Sequence, residues 1–472
     1  MIKKIFFYSI FLFYSIYVYA QEIKLGNATQ FYLEEQIAAS QGEAAQLLYS
    51  IEGLDIPDID PSHFYNEKEC VVRFGLPNFF QKIKQKKEVT VAFIGGSITK
   101  GDFSYRLQIC KYIEKQYPQV KFKWINAGVS GTGTDLGAFR LDEHVLSYNP
   151  DLVFIEFSVN GAYQKGLEGI IRKIIKYDAN IDMCVLHAIS AAQTKIYQQN
   201  KFPNGVIRME EVAEYYEIPS IHLAYETSML DGEGKICWNS STESVDGKIP
   251  FSKDGLHPMV DGGNLYAAAI ARGLKKMENM PAGKHVLPAP QYGILWDEAK
   301  MYLPQDIAVF DDKWNKVKTE ETQLLGFKDW FANIETSEEK ESSFSFKFEG
   351  DMFGLFDIGG PECGQIEIFV DGSPYNVREV REGGFRRYEK ASNGSNIINR
   401  FNKFCNNRYR GQHDVICVEN GKHEVTIKIS SKTCDKKAIL GKGNLEDINS
   451  NPSRYNKTTL FLGRILVRGK AL

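Results

Sequence analysis

Charge of either sign is what this sequence has least of in excess: 57 Lys and Arg stand against 60 Asp and Glu, a net of -3 over 472 residues. With no basic surplus to release counterions from a phosphate backbone, and no polybasic run beyond Lys84 to Lys87, nucleic acid is set aside as a partner. No C-x-x-C occurs among the eight cysteines (Cys70, Cys110, Cys184, Cys237, Cys363, Cys405, Cys417, Cys434), whose positions also lack the paired spacing of a zinc site. Past the first twenty residues no apolar run is long enough to cross a bilayer. The G-x-S-x-G elbow of α/β-hydrolases is missing, and no G-x-G-x-x-G turn follows the first strand, which excludes a dinucleotide fold.

What is present describes a globular chain. An apolar share of 43% with 12% aromatic residues can fill large cores, and the length exceeds what one core serves, so two domains with accessory segments are expected. Residues 1–20 read as a signal peptide: Lys3 and Lys4 form a positive start, Ile5 to Tyr19 an apolar stretch, and Val18-Tyr19-Ala20 a cleavage site. Export to the periplasm or beyond follows, with no stable membrane span after cleavage, because the stretch is short and rich in Tyr. No cysteine near Ala20 offers a lipid attachment point. In an exported chain the even cysteine count permits disulfides; Cys405 with Cys417 is the best pair, whereas Cys184, inside the apolar run Met183 to Leu186, reads as a buried thiol.

From Val89 onward short apolar runs alternate with helical periodicity, the pattern of a parallel sheet with crossover helices. Strands are expected at Val89–Ile94, Phe122–Asn126, Leu152–Phe157, Met183–His187 and Ile218–His222. Helices are expected at Tyr105–Tyr117, Leu136–Tyr148, Leu167–Tyr177, Met209–Tyr216 and Asn264–Met277, the last with an Ala-rich docking face. Proline and glycine gather between Met280 and Pro290 and mark a boundary. Beyond Ser342 apolar and polar residues alternate, with turns at Asp371-Gly372 and Asn420-Gly421, as in an antiparallel β-sandwich. The expected organisation is therefore an N-terminal cap (21–87), a catalytic α/β unit (88–280), a connecting segment (281–341) and a β-sandwich of jelly-roll type (342–472).

Chemistry-bearing residues stand at the strand ends. Gly95-Gly96-Ser97-Ile98 places a serine just past the first strand, where open α/β sheets build their sites. Asp254-Gly255-Leu256-His257, before the last helix, supplies an imidazole to take the serine proton and a carboxylate to orient that imidazole. Asn126-Ala127-Gly128-Val129-Ser130-Gly131 and Phe157-Ser158-Val159-Asn160 follow the second and third strands. A glycine N–H and an asparagine amide there can face a developing oxyanion.

Together, Gly95-Gly96-Ser97-Ile98, Gly131, Asn160 and Asp254-x-x-His257 resemble sequence blocks I, II, III and V of the SGNH (GDSL-like) hydrolase superfamily. The resemblance spans Val89 to Met277. It implies an α/β, flavodoxin-like three-layer parallel sheet carrying a serine esterase. Ser97 is then the nucleophile, His257 the general base and acid, and Asp254 its orienter. Ser97 N–H, Gly131 N–H and the Asn160 side chain make the oxyanion hole, with Gly128 the alternative glycine. No metal or organic cofactor is implied. Two positions depart from the family, since Gly96 and Gly161 stand where aspartates are usual. The stretch from Phe74-Gly75-Leu76-Pro77 into the serine block further resembles bacterial esterases acting on polysaccharide acyl groups. An acylated, most naturally acetylated, oligosaccharide or polysaccharide is the expected substrate. A lipid or thioester hydrolase, or an inactive glycan-binding relative, are the rivals.

Other residues carry weaker expectations. His187 and His222 close strands near the cleft and could touch substrate. His144 reads as a solvated helix residue, and Arg140 with Glu156 as a supporting ion pair or surface charges. The cluster Phe385-Arg386-Arg387-Tyr388 could stack on sugar rings.

Overall fold

In a computed structural model of the chain, the described residues are 44–85, 88–240, 247–293 and 296–472. The signal peptide expected at 1–20 lies outside them. Seven strands form the first sheet: β1 (Leu48–Tyr49), β2 (Cys70–Val71), β3 (Val89–Gly95), β4 (Phe122–Gly128), β5 (Leu152–Glu156), β6 (Asp182–His187) and β7 (Ser220–His222), in the order β1-β4-β3-β5-β6-β7-β2. The five strands β3 to β7 run parallel, and their order is that of a flavodoxin-like sheet. Because helices cover both faces, every residue of β3 is buried, which is why the strands read as continuous apolar runs rather than alternating ones.

Successive side chains of β3 point to opposite helical layers. Val91 and Phe93 pack with Phe79, Ile109, Ile113 and Tyr266, from the helices Pro77–Lys84, Arg106–Gln116 and Val260–Met277. Ala92 and Ile94 pack with Leu136, Ile170, Ile174 and Met209, from Thr134–His144, Gln164–Tyr177 and Asn204–Tyr215. The Ala-rich last helix docks so closely that a Cβ on Gly273 would stand 2.5 Å from Ile221 Cδ1.

The described part of the segment expected as a cap, residues 44–85, contributes to the sheet itself. Its strands β1 and β2 pair antiparallel with β4 and β7, so residues ahead of the catalytic unit finish both edges of its sheet. Two-residue strands leave no periodic trace, which is why the sequence pattern missed them.

A second, antiparallel-rich sheet of twelve strands occupies the C-terminal part. Its spine is Ser343–Gly359, flanked by Arg410–Ile429 and Leu460–Ala471. Alternating Phe344, Phe346 and Phe348 enter a core with Ile366, Ile427 and Ile465. Residues 299–337, expected within a connecting segment, instead supply four strands to this sheet (Ala299–Tyr302, Ala308–Phe310, Asn315–Lys318, Asn333–Ser337). These strands are short and mostly exposed or half-buried, so they carry little apolar alternation. The Pro-rich stretch 279–293, by contrast, holds neither helix nor strand. All described residues belong to one compact unit, and a shared cluster containing Phe139, Tyr163, Trp296, Phe385 and Leu466 joins the α/β layers to the second sheet.

All eight cysteines are free. The expected Cys405 to Cys417 bridge is absent: Cys405 Sγ accepts from Asn402 N–H at 3.5 Å within its own turn, while Cys417 lies in a strand opposite Met352. Cys184 is buried, as expected. Among the described residues no helix is long and apolar enough to cross a membrane.

Candidate active site

β3 runs out at Gly95, and Gly96 precedes a single helical turn, Ser97–Lys100. Ser97 therefore begins that turn at the carboxyl end of a central strand, 7% exposed. The glycine before it has a steric cause. A Cβ on Gly96 would fall 2.0 Å from Asn160 Nδ2, so the asparagine amide fills the space that a side chain would take. The glycine that stands here, where the resembled family usually has an aspartate, is the mark of that close approach.

Asp254 and His257 sit on one turn, with Gly255 in the left-handed region at φ +77. Asp254 Oδ1 accepts the backbone N–H groups of Leu256 and His257 at 3.0 and 2.8 Å, an Asx arrangement that fixes the carboxylate. Its other oxygen is left for His257 Nδ1, at 2.6 Å. With Nδ1–H donated to the carboxylate, Nε2 is the acceptor for the Ser97 hydroxyl, also at 2.6 Å. Burial pushes the Asp254 carboxyl upward, but the hydrogen bonds and charge of His257 outweigh it and hold the group below its usual range.

The remaining loops converge on Ser97. The first N–H groups of a helical turn have no intrahelical acceptor, so Ser97 N–H is available. Asn160 Nδ2 is buried without a hydrogen-bond partner among the described residues. Gly131 adopts φ +70 and is exposed, whereas Gly128 N–H is taken by Asn126 Oδ1 at 3.1 Å. Gly128 serves close packing instead, since a Cβ there would stand 2.3 Å from Lys100 N. At Gly161 a Cβ would lie 2.7 Å from Gly133 Cα, which leaves no room for an aspartate.

Several expectations need correction. Arg140 and Glu156 are fully buried and form no ion pair with each other. Arg140 donates to the carbonyl oxygens of Ala127 and Gly95 at 2.6 and 3.1 Å, tying the ends of β3 and β4 together beneath the serine. Glu156 accepts from Thr99 Oγ1 at 3.1 Å, and burial lifts its carboxyl to about 7. His144 is buried rather than solvated, both ring nitrogens lack partners among the described residues, and burial beside Arg140 and Arg464 keeps it neutral. His187 and His222 are likewise buried and face Glu210.

Phe385 is not free to stack on a sugar. It is buried and stacks on Tyr163 at 4.7 Å between ring centres. Its neighbours are engaged too, Arg386 with Asp414 and Arg387 with Glu382 and Glu389. The hairpin formed by Val377–Glu382 and Phe385–Lys390 thus turns at Gly383-Gly384 onto the asparagine loop, where a Cβ on Gly384 would be 3.0 Å from Gly161 Cα. Nearby, His413 Nε2 meets Asp135 Oδ2 at 2.9 Å, bracing the helix that follows the Gly131 loop. Sequence reasoning missed this support. The Gly-Gly pair signals a hairpin turn but nothing about what it rests on.

No protein-family model matches the chain, and no curated protein matches it. Among solved structures, a two-domain esterase (CEX) active on acetylated mannans superposes with a TM-score of 0.61 at 20% identity, over 86% of this chain and 98% of that one. The same esterase co-crystallised with mannopentaose gives 0.59 at 20% identity, over 83% and 93%. The chain therefore has the fold of a two-domain esterase, an α/β unit followed by an antiparallel β unit, along nearly the whole length of that neighbour.

Proposed function

We propose that the chain is an SGNH-type serine esterase that removes O-acyl groups, most naturally acetyl groups, from an oligosaccharide or polysaccharide. The observation that carries this is the continuous relay from Ser97 Oγ through His257 to Asp254, with 2.6 Å at each step. Ser97 attacks the ester carbonyl as His257 Nε2 takes its proton, and the imidazolium, stabilised by Asp254, returns that proton to the departing sugar oxygen. Water then opens the acyl-enzyme with His257 again as base, leaving free acid and Ser97 restored. Ser97 N–H, Gly131 N–H and Asn160 Nδ2 are assigned to the oxyanion. The unpartnered Asn160 amide supports that role, because a buried donor without an acceptor is costly unless function uses it. The carbohydrate substrate rests on the shared fold with the acetylmannan esterase and on the block resemblance, and an export leader at residues 1–20 would place the reaction outside the cytoplasm.

The test is acetate release from a panel of acetylated mannans and xylans, beside acetyl and long-chain p-nitrophenyl esters. Wild type is expected to act on acetyl esters and S97A to lose at least about 10^3-fold in kcat. Equal inertness of both proteins, with retained glycan binding, would replace the enzyme by a glycan-binding protein. A preference for long chains would make it a lipid esterase.

A further inference from the structure

At the carboxyl ends of β6 and β7, His187 and His222 stand directly opposite each other, their rings 4.7 Å apart. Glu210, on the helix Asn204–Tyr215, reaches between them. Its Oε1 is 2.5 Å from His187 Nε2 and 3.9 Å from His222 Nε2. One donor atom from each of the three lies within 4.8 Å of the others. We propose that His187, Glu210 and His222 form a buried site for a divalent transition-metal ion of the zinc type, which bolts two strands and a helix together. The site is separate from the Ser97 relay and independent of the proposed esterase function.

Two of the three ligands are held by outer hydrogen bonds, while His187 Nδ1 is buried without a partner among the described residues. The His222 ring is fixed by Tyr197 OH at Nδ1, 3.0 Å away, and stacks on Phe202 at 4.7 Å, so Nε2 is turned toward Glu210. At 3.9 Å that nitrogen is beyond hydrogen-bond reach of the carboxylate, yet near the separation of two donors that share one ion, roughly 3–4 Å for bonds of about 2.0–2.2 Å. His187 and Glu210 need to part by roughly an ångström to admit the ion. Arg73 holds Glu210 Oε2 at 2.6 Å and is itself anchored on the Ile218 carbonyl oxygen and Ser220 Oγ, the outer hydrogen bonding that ligating carboxylates ordinarily receive. Oε1 remains the donor. Both histidine side chains are at most 1% exposed, while Glu210 is 17% exposed, which leaves an entry on the carboxylate side.

Donor chemistry sets the class of ion. Two imidazoles and one carboxylate suit zinc, cobalt, nickel or iron, whereas magnesium and calcium favour oxygen ligands, and a single carboxylate shared with Arg73 offers them little.

The full chain, stripped of metal, is titrated with Co2+ and then Zn2+. One equivalent of Co2+ per chain is expected to give visible ligand-field absorption that Zn2+ abolishes, and Zn2+ to raise the Tm by several degrees while Mg2+ does not. E210Q and H222Q are expected to lose at least tenfold in Co2+ affinity with unchanged far-UV circular dichroism, and H257A to keep it. Absence of both the Co2+ bands and the Zn2+-dependent rise in wild type would overturn the proposal even if the variants fail to fold. So would undiminished binding in folded E210Q and H222Q, or binding lost in H257A.

Discussion

A serine, a histidine and an aspartate are ordinary residues, and what distinguishes Ser97 is its neighbour. The missing side chain at Gly96 makes room for the Asn160 amide. On the proposed mechanism, G96A is expected to push that amide aside and lower kcat by on the order of 10^2-fold, the typical loss of one oxyanion donor, with little change in Tm. N160A is expected to do the same, and the double variant no worse than N160A, because both remove one interaction. Steady-state kinetics of the three variants check this; additive losses would mean that Gly96 acts otherwise. Glu156 offers a pH-dependent counterpart. Its carboxyl is raised from 4.5 to about 7 by burial, so the folded state holds a proton that the unfolded chain has released. Its stabilising contribution is whole below about pH 4.5 and disappears as pH rises through about 7. E156Q, which keeps an acceptor for Thr99, is expected to gain stability over wild type between pH 5 and pH 8, by about 3 kcal/mol at the upper end. Urea melts across that range measure it. Ser97, Asp254 and His257 were legible in the sequence because glycines and strand ends punctuate their positions. The burial of Glu156, Arg140 and His144 was not, since a charged residue inside an α/β core leaves the same letters as one on its surface.

Among the elements, the 377–390 hairpin is the one whose importance the sequence concealed. The sequence marks only its Phe385-Arg386-Arg387-Tyr388 cluster, as a surface that could stack on sugar rings, yet its turn presses on the Asn160-Gly161 loop and Phe385 stacks on Tyr163 and meets Trp296 edge to face. G384V places a branched side chain at φ +92 against Gly161. It is expected to lower kcat by roughly tenfold or more by shifting the asparagine loop, with KM for a small acetyl ester nearly unchanged. F385A removes a buried ring at the junction and is expected to cost about 3–5 kcal/mol, read as a lowered denaturation midpoint. The five parallel strands and their helices were legible to within a few residues, because doubly buried strands and amphipathic helices write strong periodicities. The edge strands β1 and β2 and the four strands between 299 and 337 were too short to write any.

On the scale of the whole molecule, the boundary inferred near Met280 divides the sequence more cleanly than it divides the structure. Besides the aromatic junction, Arg464 of the second sheet pairs with Glu143, and Asp135 with His413. A fragment ending at residue 290 would expose Phe139 and Tyr163 to water, and is expected to be insoluble or inactive on acetyl esters; a soluble fragment with wild-type kcat would show that the β unit is dispensable to the site. Two-domain order was readable from the change of grammar after Ser342. The closeness of the two parts was not, since contacts between distant segments have no local signature.

The paired edges of the first sheet have a temporal meaning. β2 is made early, but its partner β7 emerges from the ribosome only after four further strands of the sheet, so the sheet cannot be sealed while synthesis is young. Closure over so long a loop is slow. Until Ser220–His222 is available, an unsealed edge gives chaperones and any export machinery a loose chain to hold.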